Sequence, residues 1–178
     1  GIVHIEANKI LGANSLGTGY EFKESTAIAQ IISLLYNDET DSSEVVSTTA
    51  ESAALKTFSL VSNPFSKVIV EIIVQSRVEQ SANTKCDFTY RIKYGGVTQQ
   101  TFVDRIIALS TTGVVSGGRN TATFSCVING KFPSTQDITV TSQNSLSNAS
   151  TGSKIRAFRV YAVTNASLMR GANGLTPY

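Results

Sequence analysis

The sequence predicts an all-β protein: an antiparallel two-sheet β-sandwich of jelly-roll or related Greek-key type, with at most one short helix. Three observations predict it. Lys67–Val78 is a β-branched run too rich in Val and Ile to prefer a helix. Cys86–Tyr94 places apolar or aromatic residues at every even position and polar ones at every odd position. That period of two marks a strand with one buried and one wet face. Gly95-Gly96 then breaks the run with a pair suited to a tight primed turn.

Taken in order, Gly1–Leu11 is a short extended segment with Val3, Ile5 and Ala7 on one side. Gly12–Gly19 is a Gly-rich linker or loop. Residues 1–19 therefore read as an arm and hinge, 20–167 as the sandwich, and 168–178 as a tail without periodic pattern. The arm has two readings: it folds back on its own domain, or it completes the sheet of a neighbouring copy by strand exchange. Tyr20–Lys23 is a brief strand. Ser25–Tyr36 has helical spacing at Ile28, Ile31, Ile32 and Leu35, yet Ile31–Tyr36 also suits a buried strand, so its type stays open.

Val45–Ser52 is a polar strand or loop, and Ala53–Val61 a strand that leads through Asn63-Pro64 into the long central run. Val97–Leu109 returns from the Gly95-Gly96 turn. Gly113–Asn120 is expected to be a loop, followed by an alternating strand over Thr121–Ile128. Asn129-Gly130 is a favoured type I′ hairpin pair. Asp137–Ser142 is a strand, Gln143–Ser153 a long polar loop, and Lys154–Val163 the last strand. The total is roughly eight or nine strands without intervening long helices, which argues against a parallel βαβ architecture.

The 178 residues fit one domain, and 41% hydrophobic content is enough for a core. Charged residues are only 16%, against roughly 25% in ordinary domains, with Ser, Thr, Asn and Gln supplying the polarity. A net charge of +2 without a basic stripe or arm argues against nucleic-acid binding. No stretch approaches a membrane span. The start lacks both an initiator Met and a signal peptide, as expected of a processed or excised chain.

No constellation for catalysis stands out. His4 is the single histidine and lies on the terminal segment, a poor place to hold triad geometry. One His and two inward-facing Cys leave a zinc site short of ligands. The acidic run Asn37–Glu44 lacks the Gly and the terminal Glu of an EF-hand loop, and reads as solvated. Gly12-x-x-x-x-Gly17-Thr18 lacks the lysine of a P-loop. Asp87 and Asp104 look solvated and nominate no glycosidase pair. Without Trp, a sugar-stacking platform would need tyrosines, and Tyr90 and Tyr94 fall on the core face. No metal, cofactor or catalytic residue is expected.

Cys86 and Cys126 both point inward, either as a disulfide pinning two strands or as two buried thiols. Asn148-Ala-Ser150 and Asn165-Ala-Ser167 match the N-glycosylation acceptor pattern. A low-charge, Ser/Thr-rich sandwich without an active site is expected to be a structural subunit of an extracellular assembly, a surface filament, pilus or virion shell. Its partners would be copies of itself. The alternative is a glycan- or receptor-binding module using the loops Asn37–Glu44, Gly113–Asn120 and Gln143–Ser153. A hydrolase on the same fold is the third class.

Overall fold

The computed structural model describes residues 9–13, 20–24, 30–63, 65, 67–80, 83–109 and 116–165. The chain falls into two compact units, Gly1–Ile31 with Asn165–Tyr178, and Ile32–Thr164. In the first, β1 (Lys9–Ala13) pairs antiparallel with β2 (Tyr20–Glu24), with Lys9 opposite Glu24 and Ala13 opposite Tyr20. Val3, Ile5 and Ala7 lie outside the described residues.

The remaining strands are β3 (Gln30–Asp38), β4 (Val45–Val46), β5 (Lys56–Leu60), β6 (Lys67–Gln80), β7 (Thr84–Tyr94), β8 (Val97–Ala108), β9 (Ser116–Asn129), β10 (Gln136–Asn144) and β11 (Thr151–Asn165). One sheet runs β3-β11-β6-β9, with β4 also paired to β11; the other runs β5-β10-β7-β8. With short β4 set aside, the pairing is nested. The outermost strands β3 and β11 pair, then β5 and β10, then β6 and β9, then β7 and β8, in alternate sheets. A long antiparallel ribbon rolled up in this way is a jelly roll. No helix occurs among the described residues, and Gln30–Asp38 is strand.

Period-two burial locks the two sheets face to face. Val68, Val70, Ile72 and Val74 of β6 are fully buried, as are Phe88, Tyr90 and Ile92 of β7. Ile138 and Val140 of β10, with Ile155, Phe158 and Val160 of β11, complete the layer. The step in parity along β11 follows from a register shift between Ile155 and Ala157. Gly95 and Gly96 both have positive φ, 56° and 81°, as the expected primed turn requires.

Three expectations are corrected. Asn129-Gly130 does not close a hairpin: β9 and β10 lie in different sheets, and Phe132 between them is buried and bridges Asn63. Gly117-Gly118 is not in a loop but within β9, paired with Glu79 and Val78. A Cβ on Gly118 would stand 2.7 Å from the Ile106 side chain, so glycine allows β8 and β9 to approach closely. The polar stretch Gln143–Ser153 is shorter as a loop than expected, since β10 runs to Asn144 and β11 starts at Thr151, leaving residues 145–150 between them.

Candidate functional surfaces

The edge strands are β3 and β9 in one sheet and β5 and β8 in the other, and short β4 pairs only with β11. Every large apolar side chain that is exposed among the described residues lies on one of these strands or directly after it. On β3, Ile32 and Leu34 are 62% and 55% exposed, with Ile31 beside them. On β8, Val103 and Ile107 are 55% and 58% exposed, and Leu109 follows. Val46, Val61, Val97 and Val127 complete the set. The central strands β6, β7, β10 and β11 contribute none, because their outward positions carry polar groups or are covered.

The β8 edge carries two charges. Arg105 faces outward and forms a fork with Asp87 of β7, at 2.6 and 3.0 Å, which holds the Asp87 carboxyl below its ordinary range. Asp104 faces inward and is only 8% exposed, which corrects its expected place on a solvated face. Asn120 Nδ2 donates to Asp104 Oδ1 at 2.7 Å, while Oδ2 is buried without a partner.

At one end of the sandwich the charged groups are closely matched. Arg77, near the end of β6, donates to Glu44 through Nε at 2.6 Å and Nη2 at 3.0 Å, and Arg119 of β9 reaches Glu79 at 2.7 Å. Glu79 N donates to Ser150 O. These bonds gather the acidic segment, the turn at 145–150 and the start of β9, three regions that the sequence names as candidate binding loops.

The carboxylates of the acidic run are taken up by ion pairs, and no group of three or more His, Cys, Asp or Glu side chains placed to hold a metal occurs among the described residues. Glu39 pairs with Arg159, and Asp41 with Lys154 and Arg156, each carboxyl being lowered first by its hydrogen bond to Arg159 or Lys154. Lys56, only 7% exposed, donates to Asp38 Oδ2 at 2.7 Å, Thr40 O at 2.8 Å and Thr40 Oγ1 at 3.0 Å. The Lys56 ammonium and the Thr40 hydroxyl hold the Asp38 carboxyl down to about 2.

Inside the same end lies a chain of buried hydroxyls and amides. Ser76 Oγ and Tyr90 Oη are 2.7 Å apart, and Ser142 Oγ and Ser153 Oγ 2.6 Å. Ser153 Oγ donates to Asn144 Oδ1 at 2.7 Å, and Asn144 Nδ2 donates to Val45 O at 2.8 Å. Burial pushes the Tyr90 phenol up, so it stays protonated as a donor.

Cys86 and Cys126 are both buried as free thiols, so the disulfide reading is corrected. The register gives the reason. Cys126 is level with Val70, whereas Cys86 follows the connection after Gln80, at the far end of β6. Eight or more residues at about 3.3 Å each separate the two levels by about 25 Å, far beyond the roughly 7 Å limit for a bridge. Burial raises the Cys126 thiol. Asn148 is half-buried, and its Oδ1 accepts from Ser150 N at 2.8 Å in a local turn; Asn165 is the last residue of β11.

The fold thus defines an antiparallel jelly-roll protein. No family model and no curated protein matches the sequence. Among solved structures, the chain is similar to dimeric latent PorU from Porphyromonas gingivalis at 10% identity and a TM-score of 0.41, over 78% of this chain and 13% of that one. It is similar to the structure of infectious bursal disease virus Gt strain at 12% identity and 0.41, over 89% and 38%. Similarity to the EclA C-terminal domain, a sugar-binding protein, is 8% and 0.34, over 84% and 88%. Likeness at this level carries no functional information. No helix among the described residues is long and apolar enough to cross a membrane.

Proposed function

We propose that this chain is a self-associating structural subunit of an extracellular assembly, a surface filament or a virion shell, and that it joins copies of itself through its sheet edges. One observation carries the proposal: the exposed large apolar side chains fall on or beside edge strands and spare the central ones. An edge offers unpaired backbone groups to another strand, and apolar side chains add burial to that pairing. Arg105 and inward Asp104 limit which strands fit beside β8. The loop end supports the glycan-binding alternative less well, because its acids and arginines already satisfy one another.

The test is light scattering behind size exclusion on the intact chain and on a Val103→Lys/Ile107→Lys variant. The expected result is concentration-dependent oligomers for the intact chain and smaller species for the variant, with unchanged far-ultraviolet circular dichroism. A monomer at every concentration would overturn the proposal. Deleting residues 1–8 tests separately whether the N-terminal arm exchanges between copies.

A further inference from the structure

At the end of the sandwich opposite the ion-paired loops, the β7–β8 turn and the β9–β10 connection enclose an open hollow of about 390 Å³. This lies near the lower end of the roughly 300–1,000 Å³ of small-molecule sites and suits one sugar ring rather than a long chain. Its walls are firmly held. Gly95 N donates to Asp137 O at 2.9 Å, and the Tyr94 ring meets Phe132 edge-on with centroids 5.7 Å apart. Phe132 is in turn buried and bridged to Asn63.

The lining has an unusual balance. Tyr94, Val97 and Pro133 supply apolar surface, and Gln99, Ser134 and Gln136 supply neutral hydrogen-bonding groups. Among the described residues, Lys131 is the only charged one in the lining. The acid nearest to Lys131 in sequence, Asp137, accepts a hydrogen bond from Ser59 Oγ on β5 and does not line the hollow. Among the described side chains most other cations have a carboxylate beside them, yet here a lysine is set among amides and a hydroxyl.

We propose that the hollow binds an acidic sugar residue. The carboxylate pairs with Lys131, the ring hydroxyls meet Gln99, Ser134 and Gln136, and the C–H face of the ring rests on Tyr94 and Pro133. A charge-assisted bond supplies the preference for an acidic over a neutral sugar. Val97 and Gln99 belong to the edge strand β8, but Val103 and Ile107, the positions substituted to test assembly, do not line the hollow, so the two proposals are tested separately.

The experiment is a chemical-shift titration of the ¹⁵N-labelled chain with methyl glucuronide, methyl glucoside and acetate. Methyl glucuronide is expected to shift the Gly95, Gln99 and Ser134 amides with millimolar affinity, and Lys131→Gln to weaken it by about fivefold or more. Lys131 is exposed, so the variant keeps its fold. Equal binding of the glucoside, full reproduction by acetate, indifference to Lys131→Gln, shifts confined to the Asn37–Glu44 end, or no shifts at all would each overturn the proposal.

Discussion

The two ends of the sandwich interior are built by the same two sheets but filled differently. Near the Gly95-Gly96 turn the space between them is dry: Leu60, Val68, Val70, Ile92, Phe132, Ile138 and Val160 pack without a polar partner. Toward the other end, Ser76, Tyr90, Ser142, Asn144, Thr151 and Ser153 occupy inward positions and bond to one another or to loop backbone. The dry half gains from area removed from water, which is insensitive to orientation. The polar half gains little net energy per bond, but each bond demands a geometry, and the one from Thr151 Oγ1 to Asn148 O fixes a loop. Stability and loop order are thus assigned to different ends of one core.

Truncation in the dry half is the sharpest way to break this contrast. Phe158 is fully buried and touches Tyr36 edge-on at 5.7 Å. Phe158→Ala is expected to destabilise by about 3–5 kcal/mol, read from the midpoint of denaturant unfolding. Tyr90→Phe keeps the ring but leaves Ser76 Oγ without its partner. A loss of about 1–2 kcal/mol is expected, together with faster amide exchange along β10 and β11 near Ser142 and Ser153.

The smallest effect should come from acid. Asp38 is held below its unfolded value, so its contribution is fully present above about pH 4 and disappears as pH falls toward about 2. Its side chain is 20% exposed, and screening leaves about 1 kcal/mol. Circular dichroism against pH should show this loss in the wild type and not in Asp38→Asn. An equal acid response in both proteins would move the acid-sensitive group elsewhere.

The same contrast explains what could be read in advance. The dry strands announce themselves by alternation: Cys86–Tyr94 and Thr121–Ile128 kept the predicted faces because burial of apolar groups is what creates the pattern. Asn144, Thr151 and Ser153 instead resembled a loop, since a satisfied buried polar group is indistinguishable in sequence from a wet one. Lys56 and Asp104 were hidden for a related reason. Their inward placement depends on partners far along the chain, Asp38 and Asn120, that no local period reveals. Alternation also located both thiols on inward faces but carried no information on their height along the strands. The clustering of exposed apolar groups at the edges needed the strand order, which only the fold supplies.

Nested pairing also sets a timetable for the chain as it is made. The innermost pair, β7 with β8, is separated by two glycines and can close as soon as it emerges, whereas β3 must wait for β11, which is among the last strands synthesised. Until then Ile31, Ile32 and Leu34 have no neighbouring strand in their sheet, and long-range closures of this kind are slow. The strand that offers an apolar edge in the finished molecule is therefore also the one left longest in need of shelter at the ribosome.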